Sequence, residues 1–129
     1  MIVYVTAEEV LLIHSRIIDL TGGTHGVRDI GRIASAVMRP KQQISGKDLY
    51  PSLFDKTAVY FEVLAYHHPF TDGNKRTAIA VAERFISLNQ HTLLITNRGM
   101  VNFVLDAVAK KYDILTLAQW FKKHAKRIR

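Results

Sequence analysis

The chain contains no cysteine, which excludes disulfide bonds, thiolate metal ligands and a cysteine nucleophile. Only three prolines interrupt its 129 residues, and no apolar run reaches the roughly 20 residues that a membrane-spanning helix needs. Residues 1–5 are apolar but are followed at once by Thr6 and two glutamates, which a secretory signal peptide would not have. These absences predict a cytoplasmic protein without membrane contact.

Composition and charge are those of one globular unit. Hydrophobic residues make up 48% and charged residues 22% of the chain, so we expect a single domain over residues 1–129. The net charge of +7 is concentrated in residues 110–129, which hold seven basic residues and one acidic residue. This segment could be a basic helix end that suits the helix dipole, or a site for nucleic acid or an acidic partner. No pattern of an RNA-binding module accompanies it, so direct nucleic-acid contact is not favoured.

Helix signals occupy the first half of the chain. A capping box at residues 6–9 opens a helix that should end at the glycine pair 22–23. Asp29 is expected to cap a second helix, which ends before Pro40. Residues 39–51 contain two prolines and a glycine and are predicted to form a flap loop.

The second half shows the same periodicity. A third helix is predicted from Ser52 to about His68, so that the histidine continues an apolar stripe at the edge of the core. A fourth helix should start near Asn74, and a fifth should cover residues 98–111 after a short extended segment. A capping box at residues 116–119 is expected to open the last helix. The predicted fold is therefore all-α, a compact bundle of about six helices with a flap loop.

The loop between the third and fourth helices concentrates reactive side chains. Gly73 allows the backbone to turn sharply and to approach a ligand closely. Lys75 and Arg76 place two cations at a helix N-terminus, where they oppose the helix dipole. Such an arrangement makes sense if an anion binds there, and phosphate is the natural candidate.

The other residues of this loop suggest chemistry on a bound phosphate. Asp72 is a carboxylate that could hold Mg²⁺ together with nucleotide phosphates, and His68 can accept a proton near neutral pH. Asn74 can donate a hydrogen bond to an oxyanion or cap the following helix. Phe70 is expected to anchor the loop in the core.

Residues 68–76, His-Pro-Phe-Thr-Asp-Gly-Asn-Lys-Arg, resemble the signature loop of the Fic/Doc family, H-x-F-x-D/E-G/A-N-G/K-R. Residues 26–29 and 35–40 are similar to the early part of Doc-type chains. The resemblance extends over residues 5–125 and implies the compact all-helical Fic fold. It also implies a role for each loop residue: His68 as general base, Phe70 as anchor, Asp72 as Mg²⁺ ligand, and Gly73, Asn74, Lys75 and Arg76 as phosphate-binding residues.

Two positions depart from the AMP-transferring members of the family. Lys75 stands where those members usually have glycine, and Ile79 stands where they have a second arginine. The lysine form resembles the Doc branch, in which ATP binds reversed and its γ-phosphate is transferred. The resemblance thus implies a toxin of a toxin–antitoxin pair, a protein Ser/Thr kinase that inhibits translation. Its target would be a factor of the elongation factor Tu type and its partner a Phd-type antitoxin, in a bacterial or archaeal cytoplasm.

Other functions remain open at this point. AMP transfer from ATP is the nearest alternative, and a non-enzymatic protein that binds nucleic acid or another partner through its basic end is a more distant one. A metal hydrolase is disfavoured because His67 and His68 would point about 100° apart on a helix. The chain has no P-loop motif, and it lacks the inhibitory S/T-x-x-x-E-G/N motif of many Fic proteins.

Overall fold

Capping residues and apolar periodicity produce six α-helices in a computed structural model that describes residues 1–128. In chain order the helices and strands are α1 Ala7–Thr21, α2 Ile30–Met38, a 3₁₀ turn Arg39–Lys41, β1 Gln43–Ile44, β2 Lys47–Asp48, α3 Leu53–Tyr66, α4 Asn74–Leu88, β3 His91–Leu93, α5 Asn97–Lys110, α6 Ile114–His124 and β4 Ala125–Arg127. The all-α prediction is confirmed. No helix among these residues is long and apolar enough to cross a membrane.

The predicted starts of α1 and α2 are confirmed. Thr6 and Glu9 form a reciprocal capping box, and α1 ends at Gly22, which has a φ of 88°. Asp29 caps α2 through its carboxylate, which accepts hydrogen bonds from the backbone N–H groups of Gly31 and Arg32. These caps fix the ends of the two helices between which residues 22–29 lie.

Helix α3 is the centre of the bundle. It packs against α4, α6 and α2, and α1 packs against α4. Residues on every side of α3 are buried, including Tyr60, Phe61 and Leu64. The Tyr60 hydroxyl also accepts a hydrogen bond from the backbone N–H of Val5 and donates one to its carbonyl, which ties the N-terminus to this helix.

Two helix boundaries differ from the prediction. Helix α3 ends at Tyr66, and His68 is exposed with a φ of 48°, so it does not continue the apolar stripe into the core. Helix α6 is capped by Asp113, whose carboxylate accepts from the Thr116 N–H at 2.8 Å. The predicted capping box at residues 116–119 therefore lies inside the helix, because Asp113 satisfies the free amides one turn earlier.

The short strands form two antiparallel pairs. In the flap, Gln43 pairs with Asp48 and Ile44 with Lys47 in antiparallel register, around a turn in which Ser45 and Gly46 both have positive φ. Two such residues between paired strands are typical of a tight hairpin turn. The flap is thus a small hairpin, where the sequence predicted only a loop. Strand β3 confirms the predicted extended segment near residue 91, and it pairs with β4.

Lys56 of α3 attaches the flap to the bundle. It is only 1% exposed, and its ammonium donates to the Pro40 carbonyl at 3.2 Å, the Asp48 carboxylate at 3.0 Å and the Tyr50 carbonyl at 2.5 Å. Hydrogen bonds from Gln43 and Lys56 lower the pKa of Asp48. All three ammonium protons therefore have acceptors, as a buried charge requires, and every acceptor belongs to the flap or its ends.

We predict that Lys56→Met lowers the free energy of unfolding by about 1–3 kcal/mol, because the Pro40 and Tyr50 carbonyls lose their partner. Chemical denaturation measures this change. Lys47→Met, at an exposed position on β2, is the matched control and should leave stability nearly unchanged. Equal stabilities of the two variants would show that Lys56 does not hold the flap.

Candidate active site

The loop that joins α3 to α4 lies against the segment between α1 and α2. The backbone N–H groups of Arg28 and Asp29 donate to the Pro69 carbonyl at 2.8 and 3.0 Å, and Thr71 N–H donates to the Gly26 carbonyl at 3.1 Å. Val27 and Phe70 form an antiparallel bridge within this pairing. The two stretches that resemble Doc-type chains, residues 26–29 and the signature loop, are therefore adjacent in space.

The side chain of Asn74 closes the loop. Its Oδ1 accepts from the Phe70 N–H and its Nδ2 donates to the Phe70 carbonyl, both at 2.9 Å. The Phe70 ring is fully buried. Asn74 makes no cap to α4; its amide holds the turn of the loop, with one N–H proton of Nδ2 left for another acceptor.

His14 of α1 contacts the loop from the side of the core. It is 4% exposed, its ring stacks on Phe70 with centroids 3.6 Å apart and planes 4° from parallel, and its Nε2 lies 2.8 Å from the Asp72 carbonyl. Burial lowers the pKa of His14, although the hydrogen bond to Asp72 opposes this effect. A carbonyl oxygen can only accept a hydrogen bond, so His14 donates from Nε2.

The sequence interpretation missed His14. The signal was present, because Val10, His14 and Ile18 are spaced four residues apart on α1 and all three are buried. A histidine at the centre of such an apolar stripe needs a hydrogen-bond partner inside the protein. What the sequence could not supply was the identity of that partner, the carbonyl of Asp72.

Asp72 is held at both its backbone and its carboxylate. Besides the contact with His14, its Oδ2 accepts from the Thr24 N–H at 2.9 Å. Its Oδ1 has no hydrogen-bond partner among residues 1–128, and the residue is only partly exposed. Asp72 thus presents one carboxylate oxygen that can take a further ligand.

The two cations of the loop are in different situations. The Arg76 guanidinium donates to the Thr21 hydroxyl and, at 3.2 Å, to the Gly22 carbonyl, where it meets the negative end of α1. Lys75 is exposed and makes no ion pair or hydrogen bond within the described part of the chain. Arg76 therefore has a structural contact, whereas the Lys75 ammonium is available to a ligand.

Both cations belong to the first turn of α4. Gly73 caps the helix in a left-handed conformation, with a φ of 76° and no side-chain cap. The first intrahelical bond comes from Thr77, so the N–H groups of Asn74, Lys75 and Arg76 have no helical partner. Free amides, the helix dipole and the Lys75 ammonium together form a place where an anion is stabilised.

His68 begins the loop on its exposed side. Arg32 of α2 donates to the carbonyl of the preceding His67, and the Pro69 carbonyl accepts the two bonds described above. The backbone on both sides of His68 is therefore fixed, while its imidazole is exposed and has no hydrogen-bond partner among residues 1–128. Its ring can therefore contact a group that approaches from solvent.

A groove of about 290 Å³ lies between α4 and α5 next to the cations. Its walls are mainly aliphatic, and it is lined by Lys75, Arg76, Ile79, Asn97, Met100, Val101, Val104 and Leu105. Lys75 and Ile79, the two positions that depart from the pattern of AMP-transferring Fic proteins, are both among these residues. An apolar surface with charged and amide groups at its edge is typical of a site for a small organic ligand.

No group of three or more His, Asp or Glu side chains that could hold a metal ion occurs among the described residues. The free oxygen of Asp72 nevertheless fits Mg²⁺, because this ion is commonly held by one or two carboxylates together with substrate phosphates and water. A single carboxylate oxygen could hold Mg²⁺ only together with other ligands, such as phosphate oxygens and water.

Comparison with known proteins identifies the family of the chain. Residues 4–86 match the model of the Fic/DOC family, and the protein belongs to this family. It is similar to the protein named Toxin Doc of Mycolicibacterium smegmatis, with 47% identity over 68 residues that cover 53% of this chain and 52% of that protein. It is also similar to the protein named Protein kinase doc of Escherichia phage P1, with 31% identity over 86 residues that cover 67% of this chain and 68% of that protein. The chain thus spans about half the length of the first relative and two thirds of the second.

Gly73 should tolerate no side chain. A Cβ at this position would lie 3.0 Å from the Cδ1 of Ile18, whereas a Cβ at Gly46 of the flap, with a similar φ of 78°, would meet no atom within 4 Å. We predict that Gly46→Ala lowers the free energy of unfolding by about 1 kcal/mol, from backbone strain alone. Gly73→Ala should lower it by about 2–4 kcal/mol, because the contact with Ile18 adds to the strain.

Thermal or chemical denaturation of Gly46→Ala and Gly73→Ala separates the cost of backbone strain from the cost of the contact with Ile18. Equal losses of stability would contradict the close packing of Gly73 on α1.

Proposed function

We propose that this protein is a Doc-type toxin that transfers the γ-phosphate of ATP to a serine or threonine hydroxyl of a target protein. The observation that carries the proposal is the free N-terminus of α4 beside the unpaired Lys75, with His68 at the start of the same loop. Phosphate oxygens are the ligands that such a group of donors suits. The names of the two relatives, which include a toxin and a protein kinase, support the same assignment.

In this proposal His68 is the general base. A target hydroxyl that approaches the exposed face of the loop gives its proton to the His68 imidazole as its oxygen attacks the γ-phosphorus. The bond from the γ-phosphorus to the bridging oxygen breaks, and ADP leaves. The fixed backbone on both sides of His68 supports this role, because the base must be held within hydrogen-bond reach of the hydroxyl.

Gly73, Asn74, Lys75 and Arg76 would bind the phosphates. The amides of α4 and the Lys75 ammonium donate to phosphate oxygens, and Asn74 contributes its remaining N–H proton. Arg76 contributes N–H groups that are not used by Thr21 and Gly22. Asp72 would hold Mg²⁺ through its free oxygen, and Mg²⁺ neutralises the charge of the phosphates when it is bound.

The groove between α4 and α5 would receive the nucleoside. Its aliphatic walls suit the face of a base, and its edge at Lys75 and Arg76 lies where the phosphates would enter. A second arginine at position 79 would put a charge in this wall, whereas Ile79 makes it apolar. This difference favours ATP bound with its nucleoside in the groove and its γ-phosphate toward His68, and therefore favours phosphate transfer over AMP transfer.

The partners follow from the same assignment. We propose a translation factor of the elongation factor Tu type as target, a Phd-type antitoxin as inhibitor, and the cytoplasm of a bacterium or archaeon as the place of action. The name Toxin Doc supports a toxin that has an antitoxin partner, whereas the Tu-type target and the Phd-type antitoxin rest on the resemblance of the signature loop alone. The basic residues of α6 and β4 would attract an acidic antitoxin; Arg129, which ends this basic segment, lies outside the described residues.

Incubation of the protein with bacterial lysate and ATP labelled at the α or the γ phosphorus tests the reaction. We expect γ-label on a protein target and no α-label. His68→Ala should reduce the labelling rate about 10²–10⁴-fold, the usual effect of losing a general base. His67→Ala is the matched control: its exposed side chain makes no hydrogen bond within the described chain, and labelling should persist.

Transfer of the α-label would establish AMP transfer in place of phosphate transfer. Loss of labelling in both histidine variants, or labelling that survives His68→Ala, would contradict the assigned base.

A further inference from the structure

His14 is a buried residue of α1, and both its hydrogen bond and its ring stacking are with the signature loop. Among the described residues it is one of four buried polar or charged side chains; the others are Lys56, Thr57 and Thr77. Its ring lies parallel to Phe70, and its Nε2–H donates to the carbonyl of Asp72. A residue that only filled the core at this place would need no hydrogen-bonding group, and a buried donor is costly unless it is paired.

The hydrogen bond from His14 acts on the peptide that joins Asp72 to Gly73. Gly73 is in the left-handed conformation and follows this carbonyl directly, so the orientation of the peptide determines how the chain enters α4. The stack on Phe70 fixes the plane of the imidazole and thereby the direction of the Nε2–H. His14 consequently restrains the backbone of Asp72 from the side of the core.

A second contact restrains the carboxylate of Asp72. The Asp72 Oδ2 accepts from the Thr24 N–H at 2.9 Å, and the Cβ of Asp72 lies against Gly23. With its backbone carbonyl held by His14 and Oδ2 held by Thr24, Asp72 has only Oδ1 free for a further ligand. The geometry thus orients a single carboxylate oxygen.

We propose that His14 is a positioning residue that holds Asp72 in the orientation needed to bind Mg²⁺ together with the nucleotide. The inference rests on the proposed function, because it assigns a purpose to the orientation of Asp72. We assign this role to the Nε2–H donor of His14 and not to its aromatic ring. Two substitutions separate the effect of the donor from that of the ring.

His14→Phe keeps an aromatic ring on Phe70 but removes the donor. His14→Gln places an amide N–H near the position of Nε2 but removes the ring. If His14 acts through its hydrogen bond, the glutamine variant should behave like the wild type and the phenylalanine variant should not. A role in packing alone predicts the opposite order.

The first measurement is amide hydrogen exchange of the protein without nucleotide. The Thr24 N–H, which donates to the Asp72 carboxylate, should exchange about ten-fold faster in His14→Phe and at nearly the wild-type rate in His14→Gln, as expected for a loss near 1.4 kcal/mol. The Arg28 N–H, which donates to Pro69 in the same segment, is the internal control and should keep its rate. Equal acceleration at both amides would show general loosening and overturn the inference.

The second measurement is the Mg²⁺ concentration that gives half-maximal phosphate transfer. His14→Phe should raise it about 10–100-fold, the range found when the partner of a metal ligand is removed, and kcat at saturating Mg²⁺ should stay near the wild-type value. His14→Gln should reach half-maximal transfer at nearly the same Mg²⁺ concentration as the wild type. A loss of kcat at all Mg²⁺ concentrations in His14→Gln that His14→Phe does not share would assign His14 to packing, and a loss in both variants would overturn the inference.

The two measurements distinguish the failure of each proposal. If the wild-type protein transfers no phosphate, the proposed function fails, while the exchange rate of the Thr24 amide still decides whether His14 restrains Asp72. If transfer occurs and His14→Phe matches the wild type in both measurements, the assignment of His14 fails and the proposed function stands.

Discussion

The two hydrogen bonds between the Asn74 amide and the backbone of Phe70 close the loop on which the site depends. They bring the start of the loop, at His68, back toward the first turn of α4. The same closure aligns the Pro69 carbonyl with the amides of residues 28 and 29 and places Asp72 above His14. Without it, His68 and the Asp72 carboxylate would belong to a segment with many conformations, and ordering them would cost conformational entropy at the moment of binding.

The site combines restrained groups with free ones. Arg76 is bound to the end of α1 and Asp72 to Thr24 and His14, whereas Lys75 and the imidazole of His68 are unpaired among residues 1–128. Restrained groups keep their geometry before a ligand arrives, and free groups can move onto it. This division suits a reaction in which positioning and electrostatic stabilisation of phosphate oxygens supply most of the catalysis.

Local signals predicted most of the fold, and long-range contacts explain what they missed. The caps of α1 and α2 and the start of α4 were predictable because each depends on a few neighbouring residues. The end of α3 was not, because the left-handed turn at His68 is held by contacts with α2 and with residues 26–29. The cap of α6 was misplaced because Asp113 and Thr116 offer similar signals three residues apart. For the site, the sequence pointed to the loop residues, and its spacing could have marked His14 as buried. The contacts of His14 and Thr24 with Asp72 appear only when α1 and the following segment pack against the loop.

The central claim is that the closed loop binds nucleotide phosphates while the groove between α4 and α5 receives the nucleoside. Backbone amide NMR during titration with Mg²⁺–ATP, and separately with Mg²⁺–tripolyphosphate, tests it without a protein target. Both ligands should shift the amide resonances of Gly73, Asn74, Lys75 and Arg76 in a saturable way, and only ATP should also shift those of Val101 and Leu105. Absence of saturable shifts at residues 73–76 with either ligand would contradict the account.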